Sequence, residues 1–148
     1  VEHRIELVRT LRGVRYYNDS IASSPSRTIA GLRSFPEKVI LIAGGYDKHI
    51  PFDVLGPEVT AHVKLLVLCG ATAGKIRAAV EAAPDYRPGH PEIIEVTPFR
   101  AAVEAARDRA VPGDVVTLSP ACAAFDQFRN FAERGKVFKE IVRSWPEE

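Results

Sequence analysis

Four short segments of this 148-residue sequence carry the residue types that chemistry needs, and each follows directly on an apolar run. They are Asn18-Asp19-Ser20, Gly44-Gly45-Tyr46-Asp47-Lys48, Gly70-Ala71-Thr72-Ala73-Gly74-Lys75 and Ser119-Pro120-Ala121-Cys122. Gly44 and Gly45 let the backbone come close to a ligand. Lys48 puts a mobile ammonium beside them, a point-charge partner for a carboxylate or a phosphate. A solvated loop lysine is the competing reading. Asp19 offers a carboxylate to ribose hydroxyls, although aspartate at such a place is also a common turn-former. The stretch from Ser119 to Phe131 (SPACAAFDQFRNF) joins small residues to three phenylalanines. Backbone N–H groups at a helix start there could hold an anion, and the aromatics could equally be core.

The Gly70 to Lys75 segment imitates a phosphate loop. A Walker A loop has four residues between its glycines and Ser or Thr after its lysine. Here three separate the glycines and Ile76 follows. A dinucleotide fingerprint would need glycine where Thr72 stands. A strand-to-helix turn is the better reading. His3, His49, His62 and His90 are scattered, and Cys69 and Cys122 form no CxxC, so the sequence assigns no metal ligand and reads both cysteines as reduced, partly buried thiols.

These segments need a scaffold that brings strand ends together. Residues 38–43 (KVILIA), 64–69 (KLLVLC), 92–96 (EIIEV) and 114–119 (DVVTLS) are apolar on both faces. Strands of that kind are covered by helices on each side, as in a parallel sheet. Phe99, Ala102, Val103, Ala106 and Ala110 follow helical spacing, as do Phe138, Ile141, Val142 and Trp145. Ser24-Pro25 reads as an N-cap followed by proline at the first helical position, opening a helix to about Ser34. Residues 4–11 and 14–18 flank Arg12-Gly13 and predict a β-hairpin. The expectation is an open, mostly parallel α/β sheet, helices on both faces, with one extra strand from the hairpin. In such sheets ligands bind beyond the carboxyl ends of the strands, where all four segments lie.

Twenty basic and nineteen acidic residues leave a formal charge of +1. That balance argues against a nucleic-acid or membrane surface, which would favour a basic excess. No apolar run approaches the ~20 residues that span a bilayer. The sequence opens at Val1 and contains no methionine, so it is expected to be one domain cut from a longer protein.

Taken in order and spacing, these segments resemble the Mur ligase family across nearly the full chain. The resemblance is carried by His3-Arg4-Ile5-Glu6, Asn18-Asp19-Ser20, Leu41-Ile42-Ala43-Gly44-Gly45-Tyr46-Asp47-Lys48 and Leu118-Ser119-Pro120-Ala121-Cys122-Ala123. Phe125-Asp126-Gln127-Phe128-Arg129-Asn130-Phe131 and Glu133-Arg134-Gly135 extend it and point to the members that add D-glutamate.

The resemblance implies the third, amino-acid-binding domain of a three-domain cytoplasmic ligase, built on a Rossmann-like six-stranded sheet with one antiparallel strand. Residues 1–10 would include the junction with a central ATPase domain. It implies peptidoglycan biosynthesis: ATP, with Mg²⁺, phosphorylates the carboxylate of UDP-N-acetylmuramoyl-L-alanine, and D-glutamate attacks the acyl phosphate to form an amide. ATP and Mg²⁺ would be bound mainly by the central domain, and the chain alone would be inactive. Carried over by position, Lys48, Ser23, Ala124, Phe125 and Phe131 would meet D-glutamate, while Asp19, Arg4, His3 and Asn18 would lie on the nucleotide side. Ile21 stands where many members carry lysine, and Ala124 where serine is common. A sibling Mur ligase, a folylpolyglutamate synthase and a stand-alone α/β module that binds an anion or nucleotide are the alternatives.

Overall fold

Strands that are apolar on both faces demand cover from both sides, and that requirement sets the architecture. The computed structural model describes residues 1–147. Strands β1 (Glu6–Leu11) and β2 (Val14–Asn18) form the hairpin. With β3 (Val39–Ala43), β4 (Val63–Leu68), β5 (Glu92–Glu95) and β6 (Val115–Leu118) they make one sheet in the order β1-β2-β6-β3-β4-β5. β1 runs antiparallel to β2, and every other neighbouring pair is parallel. The expected mostly parallel, Rossmann-like sheet with one antiparallel strand is the observed one. Arg12 and Gly13 turn the hairpin with φ of 54° and 78°, the left-handed pair whose twist suits a two-residue turn.

Helices α1 (Pro25–Arg33), α2 (Leu55–His62) and α3 (Ala73–Glu81) cover one face, and α4 (Phe99–Arg109) and α5 (Phe131–Ser144) the other. Alternation along β3 shows the division. Val39, Leu41 and Ala43 join a cluster with Leu32, Leu55, Val59, Ile76 and Val80. Ile40 and Ile42 join the opposite cluster with Phe99, Val103, Phe138 and Val142. Each such buried side chain contributes about 1.5–3 kcal/mol, so both layers are well held. The chain changes face once, when α4 carries it from β5 back to β6 in the middle of the sheet. A right-handed crossover in that direction puts the helix on the other side.

The structure trims the expected elements. Lys38, Cys69, Val96, Asp114 and Ser119 fall outside the strands, while Val63 is added to β4. Ala110 and Trp145 continue the helical spacing but cap α4 and α5 from outside. Ser24 is the extended N-cap of α1, yet its hydroxyl makes no capping bond and lies 3.3 Å from Ser26 Oγ. Helix α2 was hidden by Gly56-Pro57, which reads as a breaker. Pro57 lies in the first turn, where no N–H is required. Among the described residues no helix is long and apolar enough to cross a membrane.

The carboxyl ends of the strands are stitched to one another. Asp19 N–H donates to Leu118 O at 2.8 Å, Gly44 N–H to Pro120 O at 3.0 Å and Cys69 N–H to Ala43 O at 3.0 Å. The four segments singled out by type therefore meet along one edge, beyond β2, β6, β3 and β4.

Candidate functional site

Beyond β2, Asp19 is 4% exposed and sits under the N-terminal segment. Its Oδ1 accepts from Ile5 N–H at 3.1 Å and its Oδ2 from Ser119 Oγ at 2.8 Å. Burial pushes its carboxyl above the usual range, against the opposing pull of those bonds and of the Arg4 and Arg27 charges. Gly31 on α1 gives it room, since a Cβ there would come within 2.7 Å of Oδ2. Arg4, Asp19, Ile21 and Arg27 line one cavity of about 320 Å³ with Ile5, Ala22, Ala30 and Gly31. Two expected nucleotide-side residues thus face the same space.

The other two do not reach it. Asn18 is fully buried, donating to His3 Nδ1 at 2.9 Å and Glu6 Oε1 at 3.0 Å and accepting from Ser20 N–H at 3.1 Å. Its amide is committed to bonds within the fold. His3 is 8% exposed, edge-on to Phe131 at 5.9 Å and pressed against Gly135. Both residues hold the N-terminal segment in place. Lys139, nearly buried, does the same by pairing with Glu2 at 2.8 Å and Glu6 at 3.2 Å.

Beyond β3 the Gly44-Gly45 turn runs against β4. Gly44 has φ 112°, and a Cβ there would collide with Cys69 O, so only glycine serves. Lys48, exposed at the end of this loop, pairs with no carboxylate among the described residues. Its neighbour Asp47 takes an ion pair from Lys75, so the lysine of the false phosphate loop is a loop clasp. Thr72 of that segment accepts from Gly45 N–H at 3.0 Å and lies 3.2 Å from Cys122 Sγ. Burial raises the Cys122 thiol to about 11, which keeps it protonated and unreactive.

The residue that sequence reasoning missed is Arg134, on the first turn of α5 and 2% exposed. Its guanidinium donates to Ser20 Oγ at 2.9 Å, Ser20 O at 2.7 Å and Cys122 O at 2.8 Å, and reaches Ser23 Oγ at 3.5 Å. All these partners are neutral oxygens. Burial accordingly pushes its pKa down to about 10, still charged at neutral pH. The loops after β2 and β6 are therefore tied to a cation whose charge no bonded partner cancels, next to the half-buried Ser23. Such a place favours an anionic ligand.

The three phenylalanines divide. Phe128 packs on Phe99 at 5.1 Å in the core. Phe125 is 63% exposed, edge-on to the exposed Tyr46, and Phe131 is 36% exposed. Ala124 is buried beside them. The helix start at Phe131 is a weaker anion site than its position suggests. Asn130 Oδ1 already accepts Glu133 N–H at 2.8 Å, and the Glu133 carboxylate turns back onto Arg129 N–H at 2.7 Å. Glu133 thus already places a carboxylate at that helix start.

A family pattern described as Mur ligase, glutamate ligase domain, matches residues 3–122. The chain belongs to the Mur ligase family. It is 58% identical over 142 residues to the UDP-N-acetylmuramoylalanine--D-glutamate ligase of Clostridium kluyveri, covering 96% of this chain and 31% of that relative. It is equally 58% identical over 146 residues to the protein of the same name from Acetivibrio thermocellus, with 97% and 31% covered. The Mur ligase chain thus spans about a third of the length of the curated relatives it matches. Its fold is shared with a folylpolyglutamate synthase of Mycobacterium tuberculosis, solved with ADP and AMPPCP, at TM-score 0.61 and 14% identity over 100% of this chain and 33% of that one. A domain of a Haemophilus ducreyi protein titled a UDP-N-acetylmuramate:L-alanyl-gamma-D-glutamyl-medo-diaminopimelate ligase aligns at TM-score 0.56 and 14% identity, over 93% of this chain and 99% of that chain. Within the Mur ligase fold, the strand edge thus carries the Asp19–Arg4 cavity beyond β2 and the exposed Lys48 beyond β3, with the buried Arg134 tying the loops after β2 and β6.

Proposed function

We propose that this chain is the amino-acid-binding C-terminal domain of a longer cytoplasmic ligase that joins D-glutamate to UDP-N-acetylmuramoyl-L-alanine at the cost of ATP. The observation that carries the reading is that Lys48, on the loop after β3, pairs with no carboxylate among the described residues, while the buried Arg134 at the start of α5 bonds only neutral oxygens of the loops after β2 and β6. D-glutamate brings two carboxylates and needs its amine left free. In the overall reaction, a carboxylate oxygen of the sugar-peptide attacks the terminal phosphorus of ATP and ADP leaves. The amine of D-glutamate then attacks the acyl carbonyl, inorganic phosphate departs and the extra amine proton passes to solvent.

In that scheme Lys48 binds a carboxylate directly, Ser23 adds a hydroxyl, and Arg134 fixes both loops while lending its field. Phe125 and Phe131 wall the substrate, with Ala124 beneath them. Asp19 holds the ribose and Arg4 the nucleotide, from the far side of β6. Mg²⁺ offsets the charge of the transferring phosphates. Among the described residues no three His, Cys, Asp or Glu side chains come together as ligands, so the ion is assigned to the rest of the longer protein, as is the phosphate loop. The chain by itself binds one side of the reaction and does not ligate.

The test is Lys48→Ala in the longer protein. A charge-assisted hydrogen bond is worth roughly 1.5–3 kcal/mol, so kcat/KM for D-glutamate should fall on the order of ten- to a hundredfold, with the ATP KM little changed. Equal losses for both substrates would show that Lys48 shapes the loop and does not hold the amino acid.

A further inference from the structure

The cavity beside Asp19 holds a residue that no part of the reaction above uses. Arg27 lines it with Arg4, and neither guanidinium pairs with a carboxylate among the described residues. Arg27, Ala30 and Gly31 share one face of α1 at helical spacing, so the guanidinium stands at the rim of a floor of small and apolar groups, Ile5, Ile21, Ala22, Ala30 and Gly31. The only acceptor in the lining with side-chain charge is Asp19, buried and with each oxygen already taking one donor. An ionised carboxylate accepts further donors and repels phosphate. The group that fits between Asp19 and Arg27 is therefore uncharged, flat, and carries hydroxyl donors on one side.

We infer that Arg27 is a nucleotide-binding residue of this chain and that its guanidinium covers the base of the nucleoside whose ribose Asp19 accepts. The inference rests on the reading of this cavity as the nucleotide side of the ligase. A planar, weakly hydrated guanidinium stacks on a heteroaromatic ring over an apolar floor, and lysine, a compact ammonium on a flexible stem, does not reproduce that contact. Arg4, on the N-terminal segment whose Ile5 N–H bonds Asp19, is left for the phosphates.

The experiment uses the longer protein and measures ATP and D-glutamate KM, together with inhibition of ligation by adenosine and by inorganic tripolyphosphate. Arg27→Ala should raise the ATP KM and the adenosine Ki together by about two- to thirtyfold, the range of a cation stacked on a ring. The D-glutamate KM and the tripolyphosphate Ki should stay put. Arg27→Lys should recover little of the loss. A rise in the tripolyphosphate Ki with adenosine unaffected would overturn the assignment by placing Arg27 on the phosphates, and so would no change in either. Asp19→Ala separates the two levels. If it raises the ATP KM while Arg27→Ala does not, only the Arg27 inference fails. If neither raises it, the cavity is not the nucleotide side at all. Arg27 is exposed and bonded to nothing that holds the fold, so unchanged melting of both its variants is expected and would keep the kinetics interpretable.

Discussion

Replacing Arg134 with methionine keeps the length and apolar stem of the side chain while deleting the guanidinium. Three hydrogen bonds go with it, to Ser20 Oγ, Ser20 O and Cys122 O, at 2.7–2.9 Å. With a charged donor each is worth about 1.5–3 kcal/mol, and the orphaned carbonyls add desolvation of their own. Against that stands relief from burying the charge. The fall of the guanidinium from its ordinary value to about 10 corresponds to roughly 3 kcal/mol at 1.36 kcal/mol per tenfold. Bond loss wins, and the net destabilisation should be about 2–5 kcal/mol. For a domain of this size that lowers Tm by roughly 2–4 °C per kcal/mol. Urea unfolding of the 148-residue chain by far-ultraviolet dichroism measures it, with an unchanged m-value expected. Arg134→Lys keeps the charge but cannot reach three oxygens on two loops, so it should fall between wild type and Arg134→Met. A methionine variant within about 1 kcal/mol of wild type would refute the reasoning, because it would mean that the bonds seen here contribute no more than water does to these oxygens.

Three further outcomes follow from residues already described. Burial holds the Asp19 carboxyl above its ordinary range, so its contribution to stability is full below the unfolded-state value and is lost as pH rises through the higher folded one. Asp19→Asn cannot ionise and should flatten that fall in urea melts at stepped pH, whereas an unaltered slope would show that Asp19 is well hydrated. Gly135→Ala should cost about 1–3 kcal/mol by driving a methyl into the His3 ring, overriding the ~1 kcal/mol that alanine gains in a helix; a stabilised variant would mean that His3 moves aside freely. Ala124→Ser, in the longer protein, should lower the D-glutamate KM by up to about tenfold with kcat nearly unchanged, the yield of one added hydrogen bond. An amino-acid panel run alongside it would refute the substrate assignment if another amino acid were preferred.

The sheet was legible because its central strands β3, β4 and β6 are buried almost throughout and have no polar face. KVILIA or KLLVLC can be satisfied only with helices above and below, and the turn glycines mark where each run stops. What hid was local exchange. Helix α2 carries Gly-Pro where breakers are expected, and only its first-turn position makes them harmless. In the candidate site, Lys48 and Asp19 stand out by type, since each lies beyond the end of a strand. That the Asn18 amide turns onto His3, Glu6 and Ser20 was not legible, because consecutive residues at a strand end point to opposite faces. Arg134 did leave a trace. It is in helical phase with Phe138, Ile141, Val142 and Trp145, an arginine on the apolar stripe of an amphipathic helix, and such a cation must find oxygens inside. Which oxygens could not be read, because Ser20 lies 114 positions away in the chain.

The loop after β6 holds both halves of the edge at once. Ser119 clasps Asp19 on one side and Cys122, three residues later, takes Arg134 on the other, while Ala121 between them adopts φ 63° and bonds to Ala22 O. On the function proposed above, this stretch is a gauge block between the amino-acid side and the nucleotide side. Changing its length by a residue would, on that proposal, leave each ligand a place to bind but set the two at the wrong separation, so that affinities measured one at a time would look healthy while ligation was slow.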